Sequence, residues 1–214
     1  LFSTILLLCA GIVYSQGAKV NTAYANFTNA TAELSKNNLE EAVSNLKEGA
    51  EAIDVAITNE KTMTKAKTWR YRGNIYAMIA GIETMSADYP DAIKIATESY
   101  AKYKELDTKN SYEKEVNVAL MGLHDTEFNN GNIAFGEQKF AEAIVHYDNS
   151  KAIFEALNLV DSVAYFNGGL AADNGKLTEA AIENYLAAAR MDYQAPYCYN
   201  RVVVLLKDQE KYDE

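Results

Sequence analysis

A recurrence constrains this chain more than any other feature. Four segments each open an amphipathic run with an apolar anchor, an acidic residue and then Ala. They are Asn38-Leu39-Glu40-Glu41-Ala42-Val43, Asp88-Tyr89-Pro90-Asp91-Ala92-Ile93, Lys139-Phe140-Ala141-Glu142-Ala143-Ile144 and Lys176-Leu177-Thr178-Glu179-Ala180-Ala181. Ahead of three of them a glycine stands inside a helical pattern: Gly73, Gly131 and either Gly168 or Gly169. Glycine within a helix costs about 1 kcal/mol relative to Ala. A glycine that recurs there marks the close approach of a second helix. Ala42, Ala143 and Ser150 are small at matching places, while Trp69, Tyr76, Phe140 and Tyr147 supply the bulk around them.

Apolar spacing along the chain is helical throughout and never alternates long enough for a strand. It predicts helices over about 20–36, 39–57, 63–85, 112–136, 140–157, 162–173, 177–191 and 196–208. A further helix restarts at Pro90, in a first-turn position, and runs to about Leu106. Turns of two to five residues join them, so neighbours must be antiparallel hairpins. Only two prolines in 214 residues agree with an all-α chain. About seven extra residues between Tyr76 and Tyr89 predict an enlarged second hairpin. Asp173-Asn174-Gly175 reads as a helix-ending turn in which Gly175 takes a positive φ.

These residues resemble the tetratricopeptide repeat (TPR) family, whose 34-residue unit places characteristic residues at positions 4, 7, 8, 11, 20, 24 and 27. Trp69, Gly73 and Tyr76 fall on positions 4, 8 and 11 of one unit. Gly131, Phe140, Ala143, Tyr147 and Ser150 fall on 8, 17, 20, 24 and 27 of the next. Ala181, Tyr185 and Ala188 match 20, 24 and 27 of a fourth if Gly169 is its position 8. The resemblance covers residues 16–214: a degenerate first repeat, three more, and the start of a fifth that breaks off. Position 7 is polar in the second and third units (Arg72, Asn130), and the closing Pro at 32 is absent. The resemblance implies a right-handed superhelical array of antiparallel hairpins. It also implies a non-catalytic scaffold that binds a peptide or protein segment in a concave groove.

Residues 1–15 carry no charge and are too short to span a bilayer comfortably, which takes about 20 apolar residues. They read as the core and cleavage site of an export signal with cleavage before Gln16; a lipoprotein signal at Cys9 fits less well. Its removal leaves Cys198 alone, with no intrachain disulfide possible. The reading is therefore an exported protein, periplasmic or associated with the outer membrane, with no membrane span in the mature chain. An assembly factor for envelope proteins, and the regulatory half of a longer enzyme or sensor, are the alternatives. Twenty basic against thirty acidic residues give a net charge of −10, which argues against a nucleic-acid partner.

No residue pattern points to catalysis, a cofactor or a metal. His124 and His146 sit in no metal-binding spacing, and His124 beside Asp125 reads as a solvated pair. Residues 131–137 have a GxxxxG spacing without the Lys-Ser/Thr of a phosphate loop. Asn26-Phe27-Thr28 and Asn29-Ala30-Thr31 are formal glycosylation sequons inside a helix.

TPR proteins that capture C-terminal tails do so with a basic residue and asparagines in their first helices. That family pattern implies Arg70 and Asn74, four residues apart on one helix face, joined by Asn129 of the next unit. Asn132, Asn167 and Arg201 extend the same polar surface, although Ser162 stands where the clamp calls for a basic residue. The partial clamp implies a neutral or basic segment with a free C-terminus. Most of the fifteen tyrosines occupy core positions, which leaves four or five for the groove.

Overall fold

A computed structural model describes the backbone of residues 2–208 and the side chains of residues 17–208. The side chains of residues 1–15, expected to be an export signal, and residues 211–214, expected to open another helix, lie outside what is described. Regular structure among the described residues is entirely helical: ten α-helices and one 3-10 turn.

The first compact unit runs to Ala119. It contains α1 (Phe2–Ser35), α2 (Leu39–Ile57), α3 (Glu60–Met63), α4 (Ala66–Ala80), α5 (Ala92–Leu106) and the first turns of α6 (Glu113–Gly136). α1 packs on α2, α2 on α4, and α4 on α5. Leu46, Ile53, Ile75, Ile79 and Tyr100 are fully buried between them. Asn26 of the first sequon is also buried, facing Glu48 at 3.4 Å.

The second unit begins at Leu120. It holds the rest of α6 with α7 (Phe140–Ala156), α8 (Ser162–Asn174), α9 (Thr178–Arg190) and α10 (Ala195–Asp208). α7 packs on α8, α8 on α9, and α9 on α10. Ala134, Ala143, Tyr147 and Ala171 form one buried cluster; Ala172, Ala181, Tyr185, Ala188, Cys198, Val202 and Leu205 form another. The Cys198 thiol is free, and burial pushes it up from its ordinary value.

One contact repeats in three hairpins. A Cβ added at Gly73 would come within 2.5 Å of the Tyr100 ring, at Gly131 within 2.7 Å of Tyr147, and at Gly169 within 2.8 Å of Tyr185. All three rings are fully buried. Each glycine is thus the floor on which the second helix sets its tyrosine. Gly168 faces Asn184 instead, at 3.2 Å, so Gly169 holds the repeat position. Four residues before each tyrosine stands a fully buried alanine, Ala96, Ala143 or Ala181. Ala30 and Leu46 occupy the corresponding places in α1 and α2, with Ala42 ahead, all three at 0% exposure.

That register corrects the second hairpin. Ala92 and Ala96 are both buried, and the one four residues before Tyr100 is Ala96, one turn later than the Ala92 of the sequence motif. Gly73 and Tyr100 are 27 residues apart against 16 for the other two pairs, so the hairpin is enlarged by eleven residues rather than seven. The expected helix over 63–85 is also broken. Lys65 is extended between α3 and α4, Gly81 closes α4, and Glu83–Met85 is a 3-10 turn. Tertiary bonds hold the break: Trp69 Nε1 donates to the Met63 carbonyl at 2.6 Å, and the Thr62 hydroxyl bonds the Ala56 carbonyl. Pro90 precedes Asp91, the cap of α5, and so stands outside the first turn.

The turns do not use glycine for their left-handed residue. Asn37 (φ 58°), Gln138 (62°) and Lys176 (60°) take that conformation seven residues after the small residues Ala30, Gly131 and Gly169. Gly175 has φ −77° and is not the left-handed position expected. Its small size matters because an added Cβ would lie 3.2 Å from Phe140 Cβ and from the Ala171 carbonyl.

Candidate functional site

α4 places Arg70 and Asn74 on one face, as their four-residue spacing requires. Both reach the same carboxylate. Arg70 Nη1 lies 3.0 and 3.2 Å from the two Glu115 oxygens, and Asn74 Nδ2 donates to Glu115 Oε1 at 3.1 Å. The Arg70 side chain is 10% exposed and that of Glu115 is 47% exposed, so the donors lie beneath the acceptor. The Tyr112 ring covers the guanidinium at 3.5 Å, a cation–π contact. Arg70 Nε is buried without a hydrogen-bond partner. Asn74 is fixed from its other side, because Tyr100 Oη donates to its Oδ1 at 2.9 Å. Burial first, and then the Glu115 charge, raises the Tyr100 hydroxyl's pKa, which keeps it a donor.

A shallow depression of about 520 Å³ adjoins this arrangement along the first turns of α6. Tyr112, Glu115 and Val118 line it, with Glu113 and Lys114.

The other candidate residues belong to the second unit. Asn132 repeats the role of Asn74, since Tyr147 Oη donates to its Oδ1 at 2.9 Å. Asn167 Nδ2 approaches the same oxygen at 3.4 Å. Asn129 is exposed on α6. Arg201 forms a bidentate pair with Asp173, Nε–Oδ2 2.5 Å and Nη2–Oδ1 2.7 Å, and Tyr185 Oη joins it at 3.2 Å. Its guanidinium is thus committed to a carboxylate of α8, and that bond raises its pKa further. Tyr24, Tyr112, Tyr197 and Tyr199 are nearly half exposed.

His124 differs from the sequence expectation. It is buried, with Nε2 2.7 Å from Asp161 Oδ2, and stacks near Phe154 with ring centroids 4.0 Å apart. Asp161 also accepts from Ser150 Oγ at 3.1 Å and, as the cap of α8, from the Ala164 amide at 2.9 Å. Serine and histidine both bind the carboxylate and not each other, so this is no nucleophile–base pair. His146 Nδ1 and Asn149 Nδ2 reach the buried Glu127 at 3.1 and 2.6 Å. Among the described residues no cluster of His, Cys, Asp and Glu could hold a metal ion, and no helix is long and apolar enough to cross a membrane.

Neither a family model nor a curated protein matches this sequence.

Proposed function

We propose that this chain is a helical-repeat module of the TPR kind, right-handed in its array, that binds a peptide or protein segment along the first helices of its hairpins. The observation that carries this reading is the paired fixing of Asn74 and Asn132. Each sits one residue after the hairpin's floor glycine, and each has its carbonyl oxygen held by the buried tyrosine of its own second helix. The amide nitrogens are thereby oriented before any ligand arrives, which reduces the ordering cost of binding. An amide donor on a fixed helix face suits the carbonyls of an extended peptide backbone. The uncharged segment at residues 1–15 supports a place of action outside the cytoplasm, at the cell envelope. The acidic balance favours neutral or basic partners.

Site-specific photocrosslinking tests the reading. With the photoreactive group at Asn132 or Asn167, envelope proteins are expected to crosslink in a pattern competed by excess unlabelled protein. The same group at Glu142, on the exposed side of α7, is expected to give no competed product. Competed crosslinks at Glu142 alone would refute the assignment of the binding face.

A further inference from the structure

Charge in the first unit is segregated along its helices. α1, α2, α4 and α5 run antiparallel in turn, with Gly49 of α2 against Ala23 and Asn26, and Gly73 of α4 against Tyr100. One end of the unit therefore gathers the first described side chains of α1, the α2–α4 connection and the α5–α6 connection. Lys19, Lys61, Lys65, Lys67, Lys109 and Lys114 are all exposed there. Among the described residues, Lys19, Lys61, Lys65 and Lys67 have no ion-pair partner. Most carboxylates of this end are already engaged. Lys102 bonds Glu105, Arg70 and Asn74 bond Glu115, and the Tyr103 hydroxyl with the Lys109 and Ser111 amides bonds Asp107. At the opposite end Glu40, Glu41, Glu83 and Asp91 are exposed. The 19 residues of α2 separate the two ends by about 28 Å. Screening acts over about 8–10 Å at moderate salt, so the acidic end does not cancel the basic one at a contact.

We propose that this end of the first unit seats on an anionic lipid surface. Ammonium groups that share no carboxylate are free for headgroup phosphates. Met63, exposed between Lys61 and Lys65, adds an apolar contact at the same level. The uncharged residues 1–15 leave from this end too, because α1 begins at Phe2 while its partner α2 closes at Ile57. An apolar stretch beside a basic one separates a bilayer from a nucleic acid, to which the apolar stretch offers nothing. Attachment to a bilayer is strengthened by two such signals together. The lysines belong to the folded unit and keep their places when an export signal is cleaved before Gln16. The remaining attraction is then electrostatic and weakens with salt. The proposal does not rest on the peptide-binding reading, since it concerns helix ends and connections rather than the faces of the first helices.

Sedimentation of the full chain with sucrose-loaded vesicles tests the inference. One set of vesicles is pure phosphatidylcholine, and the other contains about a third phosphatidylglycerol. Residues 1–15 set a background common to both sets. At low salt the wild-type chain is expected to partition onto the anionic set at least about tenfold more strongly, and the excess should vanish at high salt. Lys61→Gln, Lys65→Gln and Lys67→Gln together should lower anionic partition about tenfold and leave neutral partition unchanged. The same change at Lys94, Lys176 and Lys207, exposed lysines outside this group, removes equal charge and should lower it less than about twofold. The preference of the wild-type chain stands as a test without either variant. Equal wild-type partition onto the two sets, an equal loss in both variants, or binding of a short DNA duplex as tight as binding to the anionic vesicles would overturn the inference.

Discussion

In the first unit an arginine ties three helices together, and in the second unit a histidine ties α6 to α8 while Arg201 ties α10 to α8. Arg72 of α4 donates to Asp54 of α2 at 2.8 Å and to Ser99 of α5 at 3.1 Å, and Tyr76 Oη donates to the same Asp54 at 2.5 Å. In the second unit His124 of α6 and Ser150 of α7 meet Asp161 at the start of α8. The two carboxylates differ in depth: the Asp54 side chain is 42% exposed and that of Asp161 is 6% exposed. Hairpin closure, by contrast, recurs in both units: a buried tyrosine on a floor glycine in α4–α5, α6–α7 and α8–α9, with Leu46 and Ala30 in those places in α1–α2. The apolar contact is therefore the constant element, and the polar ties around it vary in chemistry and burial.

The largest expected effect falls on both units together. Burial raises the hydroxyl pKa of Tyr76 and Tyr103 in the first unit and of Tyr147 and Tyr185 in the second, Tyr103 to about 12. A tyrosine that titrates higher when folded contributes its full stability below about pH 10, and loses it as pH rises through the folded range. Spectrophotometric titration should show the exposed tyrosines ionising first and the buried ones only with loss of helix. Ionisation of all of them near pH 10 with circular dichroism unchanged would contradict the burial.

The polar ties should separate the units. Asp161→Ala removes a buried acceptor from a histidine, a serine and a helix cap, and is expected to cost about 3 kcal/mol. Asp54→Ala, at a half-exposed site, should cost about 1 kcal/mol. Urea melts of the two variants measure the ranking, and equal losses would erase the distinction.

A smaller effect separates the hairpin connections. Four Gly/Ser residues inserted after Leu159, in the α7–α8 connection and downstream of the turn bonds Asn158 N–Glu155 O and Leu159 N–Phe154 O that close α7, should cost about 0.6 kcal/mol or less. Inserted after Gln138, they break the turn bond Lys139 N–Ala134 O (2.9 Å) at the tight α6–α7 turn, and should cost about 1–2 kcal/mol. Thermal melts of the two insertions compare them directly.

Helix positions were legible wherever apolar residues are dense. The expected 39–57, 140–157 and 177–191 lie within a residue of α2, α7 and α9 at each end. The 60–91 region was not, because Met63, Trp69, Tyr76 and Met85 keep helical spacing through a break held by tertiary bonds. The left-handed turn positions carry no glycine signal in the sequence, because Asn37, Gln138 and Lys176 occupy them. His124 reads as solvated next to Asp125, since the carboxylate that buries it lies 37 residues away. Arg70 and Asn74 were legible as a pair from their spacing. Their common partner Glu115 was not, being more than forty residues distant on another helix.

A floor glycine beneath a tyrosine closes α4–α5, α6–α7 and α8–α9, and a double-mutant cycle at Gly131 and Tyr147 measures that contact. Gly131→Ala on a free helix surface would stabilise by up to about 1 kcal/mol, as Gly122→Ala should, since nothing lies within 4 Å of its added Cβ. At Gly131 the new Cβ meets the Tyr147 ring at 2.7 Å, and the account predicts a loss of about 2 kcal/mol. Tyr147→Leu recreates the pairing of Ala30 with Leu46, and in that background Gly131→Ala should cost less than about half as much. A cost for Gly131→Ala that is the same in both backgrounds, or a gain in stability in the wild-type chain, would contradict the account.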